Sequence, residues 1–409
     1  MTTIDELTGT GASPASTGGK APGDDTFFYP KADLLEGEHG EVIWSRSLPK
    51  TSAAALQGAR SNELVLYRSR DVHGKPIAVS GIIALPDRAP PKGGFPIVSW
   101  AHGTVGCADF CAPSRDTVES AAHPYNAHPQ AMLDAFLAKG WAVLMTDYEG
   151  LGTDGLHPYL LGESEAHGIL DIVLAARRLH PHQLSNKMVI VGHSQGGQAA
   201  LFGAHHAPIW TPALDLRGVA VMAPAAGMRA LCESGTRYAG ALEGFAFTAL
   251  FLAGAIAGNP TIDVKELLTE KAYERWHHIH ERARIGLSQA DSWGGLLGTE
   301  QLKSEDNPSK KAFFDQLELT NPALRILAPI RISQAAKDIR INANATRTLH
   351  HQLSFLNGPI HVTYKEYEEV SPTDKPEELG FHFGLMETDL PSLTAWLSER
   401  LKAPGTSTL

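Results

Sequence analysis

Residues 188–201 read MVIVGHSQGGQAAL, in which an apolar run passes into Gly-x-Ser-x-Gly and then into small, helix-forming residues. A strand that turns sharply into a helix at this motif forms a nucleophile elbow, which presents the Ser194 hydroxyl from a strained backbone conformation. Gly192 and Gly196 lack Cβ atoms, so that strand and helix can approach each other closely. The stretch therefore predicts a nucleophilic serine between a buried strand and a helix.

Further apolar runs along the chain predict the sheet to which this strand belongs. Four of them are almost uniformly apolar, as strands covered on both faces are: residues 96–100, 142–146, 219–222 and 326–332. Helical segments separate these runs, which is the pattern of a parallel sheet with crossover helices. Three earlier runs alternate with turn signals and predict antiparallel strands: residues 41–48, 63–68 and 77–85. The fold class is therefore α/β, with a mostly parallel central sheet and antiparallel N-terminal strands.

The segment before the run at 326–332 has helical patterns, such as residues 264–284, and no convincing strand. We interpret residues 226–320 as an inserted helical cap, residues 26–225 and 321–409 as the α/β core, and residues 1–25 as a flexible N-terminal arm. An insertion at this point would lie over the carboxyl ends of the strands, where open α/β sheets bind ligands. The apolar residues 241–258 favour a buried or cap helix over a membrane span.

Composition narrows the class of protein further. The 409 residues carry a formal net charge of −10 and no basic run, which argues against nucleic-acid binding. The first 25 residues have neither a basic region nor an apolar core of a signal segment. We therefore expect a cytoplasmic protein for the chain as given, or a secreted one if a leader was removed, without stable membrane insertion. The oligomeric state is left open.

A serine hydroxyl needs a histidine to take its proton and an acid to orient that histidine. Asp338 follows the run at 326–332 by a few residues, where the acid of this fold belongs, although a helix cap or surface aspartate has the same appearance. His382, in Gly-Phe-His-Phe-Gly, is predicted to lie on a loop after the last strand and to act as the base. His350, His351 and His361 are interpreted as structural.

The anionic intermediate of acyl transfer needs two hydrogen-bond donors. The backbone N–H of Gln195, directly after the nucleophile, is predicted to be the first. The second is expected from the turn that follows the run at 96–100, with Thr104 preferred and Gly103 as the alternative.

Two clusters resemble metal or disulfide sites. Residues 276–280, Trp-His-His-Ile-His, have no His-Glu-x-x-His pattern or cysteine ligands, so we interpret them as a solvated helix face. Cys107, Cys111 and Cys232 allow one disulfide at most, and a loop staple and buried thiols are both open. These clusters therefore predict no metal site.

The combined motifs resemble the secretory lipase family of α/β-hydrolases, including its bacterial esterase-like members. The matching residues are His102-Gly-Thr104, Asp147-Tyr148-Glu149-Gly150-Leu-Gly152, His157-Pro158-Tyr159-Leu160 and Gly192-His-Ser-Gln-Gly-Gly197. The resemblance covers about residues 25–401. It implies an α/β-hydrolase fold, lipase or carboxylesterase activity without metal or organic cofactor, and an acyl or alcohol pocket under a mainly helical cap. Tyr148 is expected to line the site or to support the fold. His102 and His193, beside the proposed oxyanion loop and nucleophile, are expected to border the substrate.

These observations predict a serine hydrolase that cleaves small-molecule carboxylic esters, with hydrophobic short- to medium-chain acyl groups, through an acyl-enzyme. Two alternatives are retained. One is amide or peptide hydrolysis, or acyl transfer to an alcohol, by the same triad. The other is a catalytically silent hydrolase-fold protein that binds a hydrophobic ligand.

Overall fold

The computed structural model describes residues 19–370 and 377–402. Most of the expected N-terminal arm, residues 1–18, lies outside the described residues. Residues 19–24 contain no helix or strand, whereas a 3-10 turn follows at Asp25–Phe28 and buries Phe27 and Phe28 against the first strands.

One nine-stranded sheet forms the centre of the described part of the chain. Its strands are β1 (Val42–Leu48), β2 (Ala59–Arg70), β3 (Pro76–Pro86), β4 (Phe95–Ala101), β5 (Ala142–Thr146), β6 (Leu184–His193), β7 (Asp215–Met222), β8 (Ile330–Ala335) and β9 (Val362–Tyr367). The spatial order is β1-β2-β3-β5-β4-β6-β7-β8-β9. The pairs β1–β2, β2–β3 and β3–β5 are antiparallel, and the remaining pairs of the sheet are parallel. The predicted α/β class with antiparallel N-terminal strands is confirmed.

One predicted strand is displaced. The run at 326–332 was expected to be the strand before Asp338, but β8 begins only at Ile330 and continues through Ser333 and Gln334. Pro329 lacks an N–H donor and therefore cannot enter the ladder as a regular member. The carbonyl of Pro329 instead accepts the N–H of Val219 at 2.9 Å. The polar end of β8 remains buried because its side chains have partners, as in the 2.8 Å hydrogen bond from Ser333 Oγ to Asp389.

Helices cover both faces of the sheet. They are α1 (His123–Asn126), α2 (Gln130–Ala138), α3 (Gly162–Leu179), α4 (Gln195–Trp210), α5 (Met228–Gly235), α6 (Ala246–Gly258), α7 (Val264–Leu267), α8 (Glu270–Tyr273), α9 (Arg284–Leu287), α10 (Pro308–Leu319), α11 (Ala343–Asn357) and α12 (Glu377–Leu401). Alternate strand residues enter opposite cores, as Val189 and Ile190 do in β6. Apolar residues of α3, α4 and α11 share one core, and those of α2 and α12 share the other.

The segment between β7 and β8 contains α5 to α10, short 3-10 turns and isolated bridges, with no regular strand among its described residues. The helical pattern at 264–284 is divided into short helices, since Asp263 and Thr269 each cap a new N-terminus with a side-chain oxygen. Its interpretation as a separate cap domain stays a prediction.

The apolar residues 241–258 provide α6, which is buried along most of its length. Gly254 allows the helix to lie directly on the loop before α3, because a Cβ at this position would stand 2.0 Å from the carbonyl oxygen of Tyr159. Within the described ranges, no helix is both long and apolar enough to cross a membrane.

Candidate active site

Ser194 lies in a sharp turn between β6 and α4. Its φ of 59° and ψ of −119° fall in a region that L residues rarely adopt. The turn depends on its two glycines: a Cβ on Gly192 would be 1.9 Å from the Gly196 oxygen, and one on Gly196 would be 1.9 Å from the Ala101 oxygen. The Ser194 N–H donates to Met222 O at 3.0 Å, which ties the turn to the end of β7. The backbone geometry is that of the elbow expected from the sequence.

Asp338 and His382 form a buried pair. Asp338 lies in the turn just after β8, and its Oδ2 accepts a hydrogen bond from His382 Nδ1–H at 2.7 Å. Because Nδ1 carries the proton toward the carboxylate, Nε2 is left as the acceptor that a general base requires. Burial opposes ionisation of Asp338, but the facing His382 and the N–H groups of Arg340 and Ile341 outweigh it and hold the pKa of this carboxyl below its usual value.

The prediction that His382 lies on a loop was wrong. His382 belongs to α12, which follows residues outside the described range. The glycines at 380 and 384 suggested a loop, but Leu385, Met386 and Leu393 bury one side of the helix in the core. Tertiary packing of this apolar face outweighs the low helix propensity of glycine. His350 and His351 are helical as predicted, and His361 ends a 3-10 turn before β9.

The structure brings Ser194 and His382 to the wall of one cavity of about 60 Å³. No hydrogen bond joins the Ser194 hydroxyl to the imidazole in the described part of the chain. Catalytic hydrogen bonds are often long or poorly aligned without substrate, so the arrangement agrees with a nucleophile and its base. His193 also borders this cavity, and its Nε2–H donates to the carbonyl of His382 at 3.0 Å. The side chain of the residue before the nucleophile thus contacts the backbone of α12, the helix that carries His382.

Backbone donors surround Ser194. Across residues 19–370 and 377–402, the N–H groups of Gln195, Thr104 and Gly103 donate to no protein acceptor. Gln195 is the first residue of the sixteen-residue helix α4, whose N-terminus favours negative charge. The Thr104 hydroxyl pairs with the Tyr159 hydroxyl at 2.8 Å, so the backbone N–H is the group that Thr104 has available. Gly103 lies beside the elbow, since a Cβ on it would stand 3.5 Å from the Ser194 Cβ, and Thr104 borders the same cavity.

His102 borders the cavity, whereas Tyr148 does not. Tyr148 is fully buried behind His102 and its hydroxyl donates to the His102 carbonyl at 3.1 Å. The sequence placed Tyr148 correctly after a strand, but its φ of 71° turns the chain so that the ring supports the site from within the core. Burial lowers the pKa of His102 to about 4, so its imidazole is neutral near pH 7.

A buried polar network behind Gln195 was missed by the sequence reasoning. The Gln195 side-chain N–H groups donate to Glu165 Oε1 at 2.6 Å and to His157 Nε2 at 2.9 Å. Burial raises the pKa of Glu165 to about 8 and lowers that of His157 to about 3, so both are neutral at pH 7. The sequence does not single out Glu165 as a site residue, because a glutamate in the first turn of a helix is common: the helix dipole favours negative charge there. His157 stood in a motif of the family resemblance.

A second cavity, of about 300 Å³, reaches Ser194 from the segment between β7 and β8. Its wall is mainly apolar and includes Met228, Phe247, Phe251, Tyr159 and Ile341. Phe247 and Arg340 border both cavities, which therefore meet beside the nucleophile. A substrate with two arms could occupy one cavity with each arm while its central carbonyl lies at Ser194.

The cysteines and the histidine cluster at residues 276–280 lie in surroundings that suit a structural role. Cys107, Cys111 and Cys232 are buried free thiols. His277 and His280 are exposed, and His278 pairs with Ser292 through a 2.8 Å hydrogen bond. The described residues contain no group of three or more His, Cys, Asp or Glu side chains that could hold a metal ion.

Comparison with known proteins agrees with this geometry. The model of the secretory lipase family matches residues 126–276. The probable inactive lipase MT1628 of Mycobacterium tuberculosis (strain CDC 1551 / Oshkosh) is 27% identical over 208 residues, which cover 50% of this chain and 46% of that protein. The chain spans about half the length of the curated relatives it matches.

Solved structures extend the similarity to most of the fold. Candida antarctica lipase A in its closed state has a TM-score of 0.69 at 16% identity, over 85% of this chain and 80% of that one. The rice cell wall degrading esterase LipA from Xanthomonas oryzae has a TM-score of 0.68 at 16% identity, over 89% of this chain and 98% of that one. The chain therefore has the α/β-hydrolase fold, and its resemblance to the secretory lipase family is confirmed by the family model over residues 126–276.

Proposed function

We propose that this protein is a serine hydrolase that cleaves carboxylic esters through an acyl-enzyme on Ser194. The observation that carries the proposal is the buried Asp338–His382 pair, whose imidazole borders the same cavity as the strained Ser194. The family match and the lipase and esterase structures support ester hydrolysis as the general reaction.

In the first half-reaction, Ser194 Oγ attacks the ester carbonyl while His382 Nε2 removes its proton. The carbonyl oxygen becomes an oxyanion that accepts hydrogen bonds from the Gln195 N–H and from that of Thr104 or Gly103. The tetrahedral intermediate collapses, its bond to the leaving oxygen breaks, and His382 returns the proton to the alcohol. Asp338 remains ionised and orients the imidazolium.

In the second half-reaction, water takes the place of the alcohol. His382 removes a proton from the water as it attacks the acyl carbon, and the collapse of the second intermediate returns the proton to Ser194 Oγ. No other group needs to donate or accept a proton, so the proposal requires no metal or organic cofactor.

The apolar wall of the second cavity supports a hydrophobic acyl group. Its volume of about 300 Å³ lies at the lower end of the range of roughly 300–1,000 Å³ that is usual for ligand pockets. We therefore infer a preference for short- to medium-chain acyl groups. Of the two locations considered, cytoplasmic and secreted, the match to a secretory family favours the secreted one.

Two other functions use the same residues. Amide hydrolysis or acyl transfer to an alcohol would need only a different leaving or accepting group at the same triad. Ligand binding without catalysis is the second alternative, since one relative is named a probable inactive lipase. The presence of Ser194, Asp338 and His382 in workable positions favours catalysis in this chain.

The test is hydrolysis of p-nitrophenyl esters from acetate to palmitate by the wild type and by Ser194→Ala, with circular dichroism to confirm that both are folded. A loss of about four orders of magnitude or more in kcat for Ser194→Ala is expected. Retained turnover in the variant would show that Ser194 is not the nucleophile. No turnover by the wild type would favour the binding protein, and a preference for amides or added alcohols would favour the first alternative.

A further inference from the structure

Arg284 is a buried cation in the wall of the cavity that contains Ser194 and His382. It is only 3% exposed and begins α9 in the segment between β7 and β8. Its backbone N–H donates to Val105 O at 2.8 Å, next to a bridge between Gly106 and Ala283. The loop that carries Thr104 therefore holds Arg284 directly.

Among the residues that the structure describes, the guanidinium of Arg284 has no counterion. Its Nη1 donates to the Tyr125 hydroxyl at 3.1 Å, and its Cζ lies 5.5 Å from the centroid of the Phe247 ring. Nη2 is buried and has no hydrogen-bond partner, and no carboxylate of the described chain lies within 4.0 Å of the group. Asp116 borders the same cavity, but its two oxygens accept from His123 Nδ1 and Asn126 Nδ2 instead.

A buried charge is normally paired with an opposite charge. The free energy lost when a cation leaves water is larger than the free energy gained from a neutral hydroxyl and aromatic faces. The unmatched donor of Arg284 belongs to a cavity wall rather than to a sealed core, so a ligand can supply the missing anion. The charge of the cavity wall thus favours an anionic group close to the nucleophile.

We propose that Arg284 binds a carboxylate carried by one arm of the ester substrate, while the apolar arm occupies the larger cavity. This inference rests on the proposed ester hydrolysis and names its substrate class: esters with one acidic and one hydrophobic arm. A guanidinium presents planar paired donors that match a carboxylate. The cavity that Arg284 borders has a volume of only about 60 Å³, and its wall includes the apolar Leu56, Ile82 and Trp100. Such a space suits a planar monoanion better than a bulky phosphate dianion.

Two matched ester pairs test the proposal, one for each side of the scissile bond. 4-Nitrophenyl hydrogen glutarate is compared with its methyl ester, and 3-acetoxybenzoate with methyl 3-acetoxybenzoate, all by pH-stat at pH 7. In at least one pair, the wild type should have a tenfold or greater preference in kcat/KM for the acid. Arg284→Met should lower kcat/KM for that acid at least tenfold more than for its methyl ester.

Arg237→Met is the matched control, since Arg237 is an exposed arginine of the same inserted segment and borders neither cavity at Ser194. It should keep the wild-type preference. Arg284→Lys, which retains the charge, should keep part of the preference and is the second variant if the methionine variant does not fold. Preference for the methyl ester in both pairs, or equal losses for acid and methyl ester in Arg284→Met, would overturn the proposal.

Calorimetric binding of benzoate and glutarate to the wild type separates this proposal from the hydrolase proposal. If the wild type cleaves neither pair but binds one of these anions, and Arg284→Met weakens the binding tenfold or more, then ester hydrolysis fails and the anion site stands. If the wild type cleaves the esters, but binds neither anion and does not prefer the acid in either pair, then ester hydrolysis stands and the anion site fails.

Discussion

Asp338 Oδ2 accepts a 2.7 Å hydrogen bond from His382 Nδ1–H across 44 positions of sequence. Three other groups hold the same carboxylate: the N–H groups of Arg340 and Ile341 donate to Oδ1 at 2.8 and 3.1 Å, and the Gln334 side chain donates to Oδ2 at 3.4 Å. The turn after β8 therefore fixes the orientation of the carboxylate before substrate binds. The imidazole takes its tautomer from that carboxylate, which leaves Nε2 as an acceptor, as the proposed attack by Ser194 requires.

Replacing Asp338 with Asn should preserve the shape of this pair and remove its charge. An amide can donate to Nδ1 and favour the wrong tautomer, and it cannot stabilise an imidazolium. We expect kcat for p-nitrophenyl butyrate to fall by about 10³–10⁴. Asp263→Asn is the control, since it changes an exposed aspartate to another good helix cap and should leave kcat within about twofold. A loss below tenfold in Asp338→Asn would show that another acid serves His382.

Gly192→Ala and Gly196→Ala should each prevent the elbow from forming. Both added Cβ atoms would lie 1.9 Å from backbone oxygens, and backbone cannot move aside as a flexible side chain can. We expect a loss of unfolding free energy above about 3 kcal/mol, or no soluble protein. Gly23→Ala, which meets no atom within 4 Å, should stay within about 0.5 kcal/mol of the wild type. Urea titrations followed by circular dichroism give these values, and native-like stability of either elbow variant would contradict the geometry.

Glu165 should make stability fall as pH rises from about 5 to 8. Burial raises the pKa of this carboxyl from 4.5 to about 8, so the folded state keeps a proton that the unfolded chain has lost across this interval. Unfolding then releases a proton, and the folded state becomes less stable with increasing pH. Above pH 8 the effect levels off. Glu165→Gln removes the titration, so the stability of the wild type relative to the variant should decrease across the interval, by about 1.4 kcal/mol for each unit of pKa shift.

Urea unfolding of wild type and Glu165→Gln at pH 5, 6.5 and 8 measures this change. Glu163→Gln is a matched control, because Glu163 is exposed in the same first turn of α3. A difference between wild type and Glu165→Gln that is constant over the three pH values would contradict a buried, protonated Glu165.

Phe251→Leu should shift the acyl preference toward longer chains. Phe251 is 3% exposed and borders the cavity of about 300 Å³, so a smaller side chain lengthens the space available to an acyl chain. We expect the ratio of kcat/KM for p-nitrophenyl octanoate over acetate to rise about fivefold to tenfold, which corresponds to about 1 kcal/mol. Phe136→Leu changes a buried phenylalanine of α2 that borders neither cavity and should leave the ratio unchanged. An unchanged ratio in Phe251→Leu would exclude this cavity as the acyl site.

The sequence was most informative where local chemistry and local geometry coincide. Strand, glycines and serine are contiguous at residues 188–197, and Asp338 follows its strand directly, so that their positions could be read without the fold. The helical state of His382 and the burial of Tyr148 could not, because both depend on packing between distant segments. Arg284 is the strongest example, because the absence of a counterion among the described residues becomes visible only in the folded structure.

Phe247, Phe251 and Gly254 occupy one side of α6 at successive helical spacings. The glycine presses against the backbone of Tyr159, whose hydroxyl pairs with Thr104, while the two phenylalanines border the acyl cavity. Mutations at 247 or 251 can therefore change the depth of that cavity one side chain at a time. A mutation at 254 would lift the whole helix and disturb the oxyanion loop as well. In evolutionary terms, substrate preference can diverge in small steps at two positions of this helix, while the neighbouring third position is held by the catalytic architecture.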